Sequence, residues 1–202
     1  MKIIPAILTN SVDVYRQEME TIIKSSSYDQ VQVDFIDEQY DNQTISVMST
    51  FPKDYEPLKF DAHLMVDGRE MEIRVGEARK LGFERIIAQL ESLDDQKLFL
   101  EWTQGFKRGL AVDLDTSIEQ IDDLVLPELD VVLLMAVEAG FGNQLFDNRV
   151  LEKVKYLTGL RKSSGYDFKI CVDGGVEKIH LPILEEMGAD EVAVGVKRVL
   201  SF

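Results

Sequence analysis

Short apolar runs alternate along the chain with longer stretches whose apolar residues recur at helical spacing. The runs predict strands over Lys2–Leu8, Gln30–Ile36, Phe60–Val66, Arg85–Leu90, Gly109–Val112, Asp130–Val137, Phe168–Asp173 and Glu191–Val194. Several are continuously apolar, the pattern of parallel strands covered on both faces. Between them, Val12–Lys24 sets Val12, Tyr15, Met19 and Ile22 at helical spacing, and Arg69–Leu81 runs into Gly82, where a C-cap belongs. Asn148–Leu160 and Glu177–Met187 also read as helices, the second closed by Gly188. The segments KLGFERIIA (80–88) and EMGADEVAV (186–194) repeat one joint: helix end, glycine, polar turn, buried strand. Eight strands alternating with helices predict an α/β fold, a (β/α)₈ TIM barrel around a parallel eight-stranded sheet, as one domain over residues 1–202. An open doubly wound sheet is the runner-up, weakened because no G-x-G-x-x-G follows an early strand. The stretch Lys53–Pro57 reads as a loop.

Composition narrows the function classes. With 202 residues, 45% of them hydrophobic, the chain can bury one sizeable core. Its 22 Lys+Arg against 37 Asp+Glu give a formal charge of −15, which disfavours generic binding to nucleic acid or anionic membranes. An anionic substrate must then rely on local donors. The lone Cys171 forms no internal disulfide and fits a reducing compartment. The opening MKIIPAILTN reads as a strand rather than a signal peptide, and the apolar run Val131–Val137 is too short to span a bilayer. The expectation is a cytoplasmic protein, with homo-oligomerisation left open.

The C-terminal strand ends of such a barrel form one face, and polar residues there are the site candidates. VQVDFID puts Asp34 at the exit of the second strand, DAHLM puts His63 at the third, and CVDGG puts Asp173 at the seventh. Alone, a strand-end aspartate more often serves a turn, and a lone histidine is more often a satisfied core residue. Two carboxylates and an imidazole converging on one mouth suit a divalent metal, or an acid and base pair. The late loops are glycine-rich: AGFGNQ (139–144), DGG (173–175) and VGV (194–196). Glycine lets backbone N–H groups approach a phosphate closely, a mode that needs few basic side chains. A bulky residue at Gly175 is expected to block that approach and leave the fold intact.

IPAIL, VQVDFID, DAHLMV, GLAV with TSIE three residues on, LLMAVEAGFGNQ, CVDGGV and VAVGV together resemble the ribulose-phosphate 3-epimerase family, nearly end to end. AVEAGFGNQ with CVDGG is a specific pair. The resemblance implies a metal-dependent enzyme that interconverts ketose phosphates at C3, two aspartates exchanging a proton across an enediolate. Those roles map to Asp34 and Asp173. It implies a divalent metal (Zn, Fe, Mn or Co) at Asp34, His63 and Asp173, with Gln32 at the position of a family histidine. It implies phosphate binding at Gly142, Asn143, Gly174, Gly175, Gly195 and Val196, and a phosphorylated sugar as partner. The departures gather at the same place: Ala6 for a hydroxyl residue, Gln32 and Gln89 for histidines, IDEQY (36–40) for MDGHF, Leu114 and Asp115 for a Pro-Gly turn, Ala139 for proline, and Val196 for serine. The alternative they raise is a weakened or inactive barrel that binds a phosphorylated metabolite. A decarboxylase or synthase of a related phosphate-binding group would need an Asp-x-Lys-x-x-Asp strand motif, and the chain has none.

Overall fold

The computed structural model describes residues 1–200 and 202. Eight parallel strands close into a barrel in chain order: β1 Lys2–Ile7, β2 Gln30–Ile36, β3 Lys59–Met65, β4 Arg85–Gln89, β5 Lys107–Val112, β6 Val131–Met135, β7 Lys169–Asp173 and β8 Glu191–Gly195. Each strand lies within two residues of its predicted bounds, and β2 matches at both ends. The barrel closes where β1 pairs with β8, from Lys2 opposite Glu191 to Ala6 opposite Gly195.

Alternation along the strands sorts the core into two shells. Val31, Val33 and Phe35 of β2 join Phe60, Ala62 and Leu64 of β3 in the outer cluster, which holds helix residues such as Met19, Ile22, Met71 and Val75. The inner cluster is made of Ile36, Met65, Ile87, Ala111, Leu133, Met135, Cys171, Ala193 and their neighbours. Polar residues cap it at both ends. At the N-terminal strand ends, the buried Arg85 donates to Glu191 Oε2 at 2.7 Å and to Asp61 Oδ2 at 2.6 Å. Gln30 also donates to Asp61, and Lys169 to Glu191. The candidate site lies at the opposite end.

Six α-helices are described: α1 Val12–Ser25, α2 Gly68–Leu81, α3 Gln96–Trp102, α4 Val150–Ser164, α5 Leu181–Met187 and α6 Val196–Val199. The caps follow the sequence. Ser11 accepts from the Val14 N–H, Asp67 accepts from the Arg69 N–H, and Gly82 ends α2 at φ +94°. The structure departs from strict alternation in two crossovers. Between β2 and β3, and between β5 and β6, the chain makes only 3₁₀ turns, at 38–40, 47–49 and 52–55 and then at 118–120 and 126–128. Pro52 starts a turn that runs into the expected loop at 53–57, and Pro127 stands at the start of the last one. The helix expected over 177–187 splits into a 3₁₀ turn at Lys178–His180 and α5, with Pro182 in its first turn. No helix among the described residues is long and apolar enough to cross a membrane.

Candidate active site

Strand β2 sends Gln32 and Asp34 inward because Val31, Val33 and Phe35 are taken up by the outer shell. The β2–β3 register then sets Asp34 directly opposite His63. Asp173 ends β7, opposite Met135 on one side and Ala193 on the other. One ligand atom from each of Asp34, His63 and Asp173 lies within 4.8 Å of the other two. The sequence named these three residues from three separate strands, and the barrel brings them together. All three are nearly buried, at 6%, 0% and 9% exposure, and they line a cavity of about 220 Å³.

Gln32 joins them in an unexpected way. Its amide nitrogen donates to Asp34 Oδ1 at 2.8 Å and to Asp173 Oδ2 at 2.6 Å, bridging the two carboxylates. Its amide oxygen is buried without a hydrogen-bond partner. The side chain therefore presents a donor where the sequence reading expects an oxygen ligand. His63 Nδ1 is 3.2 Å from Asp34 Oδ1 and 4.0 Å from Asp173 Oδ2, and its Nε2 is 3.0 Å from Gln89 Oε1. Burial, then the Asp34 charge, push the Asp173 carboxyl up to about 7. Burial alone would lower the His63 imidazole; the bond to Asp34 and the charges of both aspartates outweigh it and raise it.

The donor set fits a divalent cation. Two carboxylates and an imidazole are ligands of the right type and spacing, and the partnerless Gln32 oxygen is a fourth donor once the amide turns over. Turning it withdraws the N–H groups that now satisfy the carboxylates, so cation and amide nitrogen compete for the same oxygens.

Gly142, Asn143, Gly174, Gly175, Gly195 and Val196 all line the same cavity, beside Lys197 and Arg198. Asn143, Gly174 and Gly175 have φ of +61°, +106° and +63°. A side chain at Gly175 would come within 2.4 Å of the Phe146 backbone nitrogen, so this glycine is needed where two loops cross. Substitution there would disturb the loop after β6, against the expectation that Gly175 could be blocked with the fold intact. Gly195 is the cleaner position: φ is −51° and a Cβ would meet nothing within 4 Å.

Sequence reasoning saw Gln89 only as a lost histidine and missed Glu91, which accepts from the Gln89 amide at 2.9 Å. The signal was present: Q-L-E (89–91) repeats at the exit of β4 the polar alternation that singled out β2.

A model of the ribulose-phosphate 3 epimerase family matches residues 2–198. Ribulose-phosphate 3-epimerase of Bacillus subtilis is 30% identical over 200 residues, covering 96% of this chain and 90% of that protein. The protein of the same name from Serratia marcescens is 33% identical over 137 residues, 67% of this chain and 64% of that one. Among solved structures, a mutant tryptophan synthase α-subunit from Pyrococcus furiosus aligns with a TM-score of 0.67 at 15% identity, over 96% of this chain and 87% of that one. At that identity the likeness speaks for the barrel alone.

Proposed function

Since this chain belongs to the ribulose-phosphate 3-epimerase family, we propose that it epimerises a ketose phosphate at C3, with Asp34 and Asp173 as its two proton carriers. One observation carries the reading. The paired aspartates and the three glycine-rich loops line the same cavity, so a phosphate held by the loops leaves the sugar carbons facing the carboxylates. Asp34 and Asp173 stand on β2 and β7, with β1 and β8 between them, and so reach a bound sugar from two directions. One takes the C3 proton and the other returns a proton to the opposite face. Ala6, Met65 and Met135 in the cavity wall are apolar and limit water around the reacting carbon. Asp34, His63 and Asp173 would hold a divalent cation, which when bound supplies charge against the oxyanion that develops on the substrate. The test is solvent deuterium incorporation at C3 of ribulose 5-phosphate, then of other pentulose and hexulose phosphates. No exchange on any of them removes the epimerase reading.

The second reading, a barrel that binds a phosphorylated metabolite without turnover, draws on Gln32, whose amide already satisfies both carboxylates without a metal. Gln32→His tests that competition. It replaces the competing donor with an imidazole and is expected to tighten Mn²⁺ binding by about tenfold or more, since outer-sphere changes alone are worth about 10–100-fold. Unchanged Mn²⁺ affinity in calorimetry would count against Gln32 as a neighbour of the cation.

For the phosphate end, Gly195→Leu adds a side chain at the cavity wall whose Cβ meets no atom within 4 Å. Losing one N–H contact to an anion costs about 1.5–3 kcal/mol, so affinity for ribulose 5-phosphate should fall roughly tenfold or more with the melting temperature retained. Wild-type affinity would move the phosphate site away from this loop.

A further inference from the structure

In the loop that follows β6, residues 138–144, side chains hold the carbonyls and leave the N–H groups over. Gln144 belongs to this loop, and its amide nitrogen donates to the Glu138 carbonyl at 2.7 Å and to the Phe141 carbonyl at 2.9 Å. Asn42 reaches in from the loop after β2 and donates to the Gly140 carbonyl at 2.6 Å, while its own amide oxygen accepts the Gln43 N–H. A carbonyl only accepts, so both amides meet these partners through nitrogen. The β2 loop also crowds Gly140 itself: its φ is +97°, and a Cβ there would stand 3.0 Å from the Tyr40 Cβ. By contrast, none of Gly142, Asn143 and Gln144 donates its N–H to an acceptor among the described residues, and all three line the cavity.

We propose that Gln144 and Asn42 are positioning residues for a bound phosphate: Gln144 sets the direction of the Gly142 N–H, and Asn42 anchors the peptide before it. The Phe141 carbonyl and the Gly142 N–H belong to one planar trans peptide and point opposite ways, so gripping the first fixes the second. Asn143 follows at φ +61°, the left-handed conformation from which successive N–H groups build an anion-binding concavity. With Gly140 and Gly142 in the loop, the backbone is free to rotate unless something holds it. Were the Phe141–Gly142 peptide to flip, a carbonyl would replace an N–H against the anion and attraction would become repulsion. Asn42 does not line the cavity and acts only through the loop it holds. The clamp rests on the proposed function only for the identity of the anion as a sugar phosphate.

The test is NMR of the full ¹⁵N-labelled chain titrated with inorganic phosphate, each backbone amide followed separately. In the wild type the Gly142, Asn143 and Gln144 amides are expected to shift together with those of Gly174 and Gly195. Gln144→Met and Asn42→Leu keep the bulk of each side chain, remove its N–H donor and add no charge. Each should weaken phosphate binding about tenfold, the worth of one hydrogen bond to a charged group. Each should also silence the Gly142 amide while Gly174 and Gly195 still respond. The two substitutions sit on different loops, so either decides alone if the other does not fold. Wild-type phosphate affinity in the variants overturns the proposal. So does a loss shared equally by all these amides with a lowered melting temperature, which is what general loosening would give. A wild type whose 142–144 amides ignore phosphate overturns it as well. The epimerase reading is tested apart from this, with ribulose 5-phosphate. Shifts that behave as expected in a protein without turnover keep the clamp and remove the epimerase; turnover with unaltered shifts in both variants does the reverse.

Discussion

Asp34→Asn and Asp173→Asn should each abolish epimerisation at C3, a loss of about 10²–10⁴-fold or more for removing a general acid or base. Asparagine keeps the shape of the side chain and one accepting oxygen, so the Gln32 bridge and the cavity wall keep most of their contacts. The loss therefore belongs to the proton and not to the fold. On the proposed mechanism both carriers serve one turnover, so the double variant should be about as inactive as either single one. Circular dichroism and melting temperature near wild type complete the expectation. Epimerisation that persists in Asp173→Asn would assign the second carrier to another group, and His63, 4.0 Å away, is the first to test.

The second large effect lies at the other end of the barrel. Arg85→Met removes the cation that sits between Asp61 and Glu191, both buried to within 1% of full exclusion. Uncompensated buried charge costs about 3–5 kcal/mol. For a protein of this size that lowers the melting temperature by roughly 10 °C. The sign of the pH dependence follows. Burial already pushes the Asp61 carboxyl up, against the pull of Arg85, whereas Arg85 and Lys169 bring Glu191 down despite its burial. Without Arg85 both carboxyls would rise above their unfolded values. A group raised on folding loses stability as pH climbs from its unfolded value to its folded one. The gap between wild type and Arg85→Met should therefore widen from about pH 4 toward neutrality, where ordinary carboxylates are ionised. A gap that narrows over that range would mean the carboxylates find another cation, and Lys169, 2.7 Å from Glu191, is the candidate.

The barrel was legible because several of its strands are continuously apolar and because glycine caps at Gly82 and Gly188 punctuate the helices between strands. What escaped was local. The helix Gln96–Trp102 is only seven residues long and fully buries Phe99 alone, so its apolar stripe is too short to register. The helix-free crossovers could not be told from helical ones, because 3₁₀ turns carry no long period. At the site, Asp34, His63 and Asp173 could be named from strand ends, since strand direction alone puts them on one face. The orientation of the Gln32 amide could not. It depends on two acceptors arriving from different strands, and nothing in the neighbouring sequence says which end of the amide meets them. Glu91 was hidden for the same reason: its partners are a strand-end amide and the backbone of Asp113.

The closing of β1 on β8 has a consequence in time. It is the one neighbouring pair in the barrel joined by no crossover, and its strands stand nearly the whole chain apart. Pairings between distant segments carry the largest loop-closure entropy and belong to the slow part of folding. Asp34 and Asp173 lie on either side of that seam, so a chain with every other ladder formed still holds them on separate arcs. Recovery of catalysis during refolding should then trail the recovery of helix and strand signals, because no half-assembled barrel contains a working fraction of the site.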